Sequence, residues 1–106
     1  MREVMLEFLK ELYGDDIKSY KEFKTHIEME TNDVPLTLSY HLLTERVVEY
    51  ANSKELYLRM VKLKTCCVVD VLGTDFKLID SVFGDTIHKT VSDIGASIFK
   101  GLIKNG

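Results

Sequence analysis

The stretch from Ser53 to Leu72, SKELYLRMVKLKTCCVVDVL, restricts the fold more than any other part of this chain. It carries charge on one side as far as Lys64, and from Cys66 onward Asp70 is its only charged residue. A segment apolar on nearly every side is buried by its neighbours. Read at helical period, Leu56, Met60, Leu63, Cys67 and Val71 form one row. Tyr57, Val61, Val68 and Leu72 form the next, while Glu55, Arg59, Lys62 and Asp70 face away. This spacing predicts a central helix over 53–72. The alternative is an α+β fold with a hairpin at about 56–80. LYLRMVKLK alternates, CCVVDVL is rich in β-branched residues, and Gly73-Thr74-Asp75 can turn between strands. Alternation breaks at Cys66-Cys67-Val68-Val69, which favours the helix.

The flanking segments fit the same plan. Met1, Val4, Met5, Phe8, Leu9, Leu12 and Tyr13 make an amphipathic stripe that Gly14 ends in a left-handed cap. Ile17, Tyr20, Phe23 and Ile27 predict a second helix, capped by Asp15 or Asp16 and ending near Asn32. Its wet side would hold the Lys18–Glu22 and Lys24–Glu28 pairs. Pro35 suits a first helical turn, and Leu36, Tyr40, Leu43, Val47 and Tyr50 continue from it as a third helix. Asn52 and Glu55 have capping-box spacing. A short helix with Phe76, Ile79 and Phe83 inward would follow Thr74 or Asp75. A last helix, capped by Asp85, would carry Ile87, Val91, Ile94, Ile98 and Leu102. Gly95, Ala96, Ser97 and Gly101 make it slim enough for close approach by another helix. The fold expected is an all-α bundle of five or six helices, one domain over 1–106.

A chain of 106 residues can bury a single core. Apolar content of 45% and charged content of 29% are those of a soluble protein. No window is long and apolar enough for a membrane span, and MREVMLEFLKELYG lacks the apolar region of a signal peptide. An intracellular place of action is expected. Net charge is −3, unevenly spread: residues 1–52 hold 6 basic and 11 acidic side chains, residues 53–106 hold 8 and 6. That split suits contact between the halves or between two copies.

Little in the sequence points to chemistry. Cys66 and Cys67 are adjacent, which excludes a disulfide framework and reads as two reduced, buried residues. His26–Glu30 and His41–Glu45 have i,i+4 spacing but flank the apolar stripes, as exposed pairs do, so no metal site is assigned. His88 is the histidine nearest the cysteines in the chain, and nothing orients it as a base. No phosphate loop, H-E-x-x-H or C-x-x-C is present. The expectation is a protein that is not an enzyme and takes no cofactor.

Three functional classes follow. The first is protein–protein interaction, as a regulator or inhibitor of a partner or as a homodimer, with Ile98, Phe99 and Leu102 on a C-terminal docking helix. The second is nucleic-acid binding by a helix-turn-helix over Leu36–Leu72, with Arg59, Lys62 and Lys64 meeting phosphates. The third is an immunity-type or membrane-surface helical protein, suggested by the amphipathic run from Gly84 onward. Asp33–Val48, DVPLTLSYHLLTERVV, resembles a helix-opening pattern of bacteriocin immunity proteins, and that resemblance implies a small cytosolic helical bundle.

Overall fold

A computed structural model describes residues 2–104. Its elements run α1 (Arg2–Tyr13), β1 (Ser19–Glu22), β2 (His26–Glu30), β3 (Leu36–Ser39), α2 (Tyr40–Ser53), β4 (Tyr57–Lys62), β5 (Cys67–Leu72), β6 (Leu78–Gly84) and α3 (Ile87–Phe99). Among the described residues the fold is therefore α+β, with three helices and two three-stranded antiparallel sheets, β1-β2-β3 and β4-β5-β6. The all-α bundle is incorrect.

The correction is sharpest at 53–72. This stretch is the end of α2, a turn and two paired strands, with Tyr57 opposite Leu72 and Lys62 opposite Cys67. Leu63 N–H donates to the Cys66 carbonyl across the tight connection (2.8 Å). β-Branched side chains are stiff at χ1 and pack well on a pleated surface, and Val61, Val68, Val69 and Val71 concentrate them here. The buried residues of β5 are Cys67, Val69 and Val71 in strict alternation, the period of a strand. The hairpin alternative fits at Gly73, where β5 turns into β6; what it did not include is the earlier turn at 63–66, which divides the stretch before Gly73 into β4 and β5.

The other corrections have the same cause. Ile17, Tyr20 and Ile27 are buried as the helical reading required, but so is Met29, and Phe23 is not. The alternation Ile27-Glu28-Met29-Glu30 decides for β2, with Tyr20 opposite Met29. Leu36–Ser39 is strand β3, so Pro35 precedes a strand and not a helical turn. α2 begins at Tyr40, where the Ser39 hydroxyl accepts from Leu42 N–H (3.3 Å). The helix opening on which the immunity-protein resemblance rests is thus a strand. Glu55 lies beyond α2 in a left-handed turn (φ 61°), outside any capping box. The short helix expected at Phe76–Phe83 is a turn and β6.

Two helices match their expected positions. α1 ends at Tyr13, and Gly14 follows at φ 123° with its N–H on the Lys10 carbonyl (2.8 Å). Met1, part of the expected stripe, lies outside the described residues. In α3 the N-cap position is Thr86 instead of Asp85, without a side-chain capping hydrogen bond, and the helix stops at Phe99, which leaves Leu102 beyond it, 75% exposed.

One core ties the elements together. Phe8, Leu9 and Leu12 of α1, Val47 and Tyr50 of α2, and Val91, Ile94 and Ile98 of α3 cluster with Val69 and Val71 of β5 and with Tyr20, Ile27 and Met29 of the first sheet. Arg2 pins α1 to β1, donating to the Tyr20 carbonyl (2.6 Å) with its guanidinium 4.2 Å from the Tyr20 ring centre. α2 and α3 lie on the inner face of the second sheet, α1 packs on those two helices, and the outer face of the sheet is left open.

Candidate interaction surface

Strand register assigns every side chain of the second sheet to a face. Cys67, Val69 and Val71 point into the core, so their partners Lys62 and Gly84, Met60 and Val82, and Leu58 and Asp80 share that side. The outer face is the other set, three rows deep. One end is Val61, Val68 and Phe83, and the middle is Arg59, Asp70 and Ser81. The far end is Tyr57 and Leu72 with Leu78, where a bulge also admits Ile79. Phe83 is 70% exposed and Leu78 59%.

The middle row is polar but closed upon itself. Arg59 donates to Asp70 Oδ2 from Nε (3.0 Å) and Nη2 (2.8 Å). Ser81 Oγ donates to Asp70 Oδ1 (2.6 Å). These hydrogen bonds, from Ser81 first and then from Arg59, hold the Asp70 carboxyl below its ordinary range. The face therefore carries no net charge in its centre and little unmet hydrogen-bonding demand.

Phe76 extends the apolar far end. It sits in the turn between β5 and β6 at φ 61°, a left-handed conformation rare for a bulky residue. Its ring packs on Tyr57 (5.5 Å between centres) while 69% of the residue stays exposed. A strained backbone that displays a phenylalanine to water suits a binding role better than a folding role.

The first sheet provides an internal comparison. Its inner side holds Tyr20, Ile27, Met29, Leu36 and Leu38, with Glu22 at the edge, and its outer side is Ser19, Lys21, Glu28, Glu30, Thr37 and Ser39, exposed and polar, with His26 half-exposed beneath the Phe23 ring. An antiparallel sheet with one wet face ordinarily alternates this way. The second sheet does not: apolar residues stand on both of its faces.

A cleft of about 960 Å³ opens between α2, the end of β4, the start of β5 and the first turn of α3. Met60 and Cys67 line it beside Val48 and Ile87, with charged groups around them. Those groups do not converge on one point. Glu45 turns to His41 (3.1 Å) and Glu49 to Arg46 (3.9 Å). Cys67 Sγ lies 3.4 Å from the Thr90 hydroxyl, which itself donates to the Thr86 carbonyl (2.8 Å). Both cysteines are free thiols, with Cys67 buried.

At one end of the cleft His88 stacks on Tyr40, ring centres 3.9 Å apart and planes within 9°. The Tyr40 hydroxyl donates to the Phe23 carbonyl, so the stack clips α3 and α2 to the β1–β2 turn. Burial lowers the His88 pKa from its ordinary 6.5, and Lys89 adds to this, while Glu22 opposes it. The folded chain thus takes up this proton less readily than the unfolded chain. Stability contributed by neutral His88 is complete above about pH 6.5 and is lost as pH falls from there toward the lower folded value. His88→Phe keeps a ring against Tyr40 without the proton. Urea unfolding from pH 7.5 to 5.5 is expected to show a smaller loss of stability in this variant than in the wild type.

The residues singled out in the sequence are scattered. Arg59 is in the centre of the outer face, Lys62 lines the cleft, and Lys64 is exposed between β4 and β5. Ile98 is buried in the core, and Phe99 leans on Phe8 with ring centres 5.8 Å apart. Leu36–Leu72 holds one helix among three strands, so the helix-turn-helix is absent, and no common surface gathers the three basic residues. His26 belongs to β2, nearest Glu28 (3.9 Å), and among the described residues no three metal-ligating side chains cluster. Phe76 and Phe83 fall with Ile79 in the stripe of a short helix, which hides them as surface residues, and Leu78 belongs to no stripe at all. The signal available was a strand apolar on both faces, in Val68-Val69 against Val82-Phe83.

Among the described residues no helix is long and apolar enough to cross a membrane. Compared with protein-family models, curated proteins and solved structures, the chain matches none of them. What its own geometry defines is a small α+β protein with one bare apolar sheet face.

Proposed function

We propose that this chain is a non-catalytic interaction protein that regulates what it binds, docking through the outer face of β4-β5-β6. The observation that carries this reading is the contrast between its two sheets, one polar outside and the other apolar outside. With about 200 Å² on each aromatic side chain, the exposed parts of Phe76 and Phe83, with Leu78, Ile79 and Val61, amount to about 500 Å². That area lies in two clusters on either side of the Arg59–Asp70–Ser81 row, and exposed apolar surface of this order on one face suits a binding site. An intracellular place of action belongs to the same proposal, supported by two free thiols side by side.

The test compares three baits in lysate of the native cell: the wild type, Leu78→Lys/Phe83→Lys on the proposed face, and Glu28→Lys/Glu30→Lys on the polar sheet. Proteins held by the first and third but released by the second are the expected result. One set of proteins held equally by all three would contradict the reading.

A further inference from the structure

The second sheet protects its edges and leaves its face bare. Its edge strand β6 carries an inward-side charge at Asp80 and a bulge opposite Leu72, and its other edge, β4, carries Lys62 on the inward side. Inward charges and bulges are devices that stop a sheet from growing by strand addition. Whatever meets this sheet therefore meets it flat, as one layer of a sandwich.

Three observations identify the second layer. The Arg59–Asp70–Ser81 row is neutral and internally bonded, so it calls for no oppositely charged partner. The fitting surface is another apolar sheet face with a satisfied polar centre, and this molecule carries one. The area agrees once the exposed Arg59 and Ser81 between the apolar clusters are counted in: each face then presents about 600 Å², and two make about 1,200 Å², the lower bound of a specific, stable interface. The face also lies in the half of the chain where charge nearly balances, 8 basic against 6 acidic residues, so two copies meet with little repulsion there.

Resting on the reading of this face as a docking surface, we propose that its partner is a second copy of the chain, laid face to face about a two-fold axis running along the strands. Sheets pack about 10 Å apart with strands nearly aligned. That axis places β4 of one copy over β6 of the other, so Phe83 lies over Val61 and Arg59 over Ser81, while β5 lies over β5 with Asp70 facing Asp70, each carboxylate already bonded to its own Arg59 and Ser81. A two-fold axis across the strands opposes Asp70 to Asp70 as well, and adds Arg59 opposite Arg59, so it brings two like-charge contacts where the axis along the strands brings one.

Sedimentation equilibrium of the full chain, from about 1 μM to 1 mM, decides the matter. The expected result is a mass that rises with concentration from 12.2 kDa to twice that value, little affected by salt because the contact is apolar. Phe83→Lys, removing an aromatic anchor twice per dimer, is expected to weaken association by about a hundredfold or more. Phe76→Gly relieves the left-handed backbone, so it should weaken the dimer without lowering the stability of the single copy. A wild type that stays at 12.2 kDa throughout overturns self-association. If Leu78→Lys/Phe83→Lys still releases captured proteins in that case, the docking face stands with a different partner. If that variant releases nothing, the face reading falls as well. A wild-type dimer that Phe83→Lys leaves equally tight lies on another surface and also overturns the proposal.

Discussion

Replacing Phe8 by alanine is expected to cost about 3–5 kcal/mol, the range for emptying a buried aromatic site. That is a large fraction of the roughly 5–15 kcal/mol that holds a domain folded. Phe8 is fully buried and is the ring around which the three helices meet. Tyr50 of α2 meets it edge-on at 5.1 Å, and Phe99 at the end of α3 leans on it at 5.8 Å. Val47 and Ile94 belong to the same cluster and are themselves locked by packing, so the site collapses only partly when the ring is removed. Urea unfolding should show a lower midpoint with an unchanged slope. A loss below about 1 kcal/mol would mean that α1 contributes far less to the core than its burial implies.

Gly95→Ala comes next, and its effect runs against helix propensity. In an isolated helix this change is worth about 1 kcal/mol in favour of alanine. Here a methyl group at position 95 would lie 2.6 Å from Val47 Cγ1 and 2.7 Å from Phe8 Cε2 and Cζ. Neither neighbour can give way easily, since Val47 is β-branched within α2 and the Phe8 ring is clamped by Tyr50 and Phe99. Overpacking of this kind costs about 1–3 kcal/mol, so a net loss of stability is expected. The sign should reverse once Phe8 is alanine: the new methyl then fills part of the cavity, and Gly95→Ala becomes neutral or stabilising. Additive effects in the double variant would show that the two sites are not in contact.

The legible parts of this fold were those whose stopping residues agreed with their periodicity. α1 has an apolar stripe and Gly14 at its end, and α3 has Val91, Ile94 and Ile98 with Gly95 at the crossing. The first sheet was hidden because Ile17, Tyr20 and Ile27 fall three, or three and four, residues apart by coincidence. Only Met29 reveals the alternation that buries β2. In the second sheet the failure was physical: a central strand with apolar residues on both faces has no period to read, so Cys66–Val69 looked like the buried side of a helix. The same property concealed the candidate site. An apolar residue in sequence is taken as core, and Phe76, Leu78 and Phe83 turn outward only once register with β5 fixes which side is which. Arg59 was named for its charge, yet its role in the fold is to neutralise Asp70 within that face.

A docking surface on the outer face of β4-β5-β6 would stand apart from the folded core. Urea unfolding of Leu78→Lys/Phe83→Lys against the wild type, at a dilution where both are single copies, tests it most directly. Substitutions on an open surface are ordinarily within about 0.5 kcal/mol each, so the two curves are predicted to nearly coincide. A loss of about 3 kcal/mol or more, the size seen for core residues, would contradict the account by showing that the chain folds over this face.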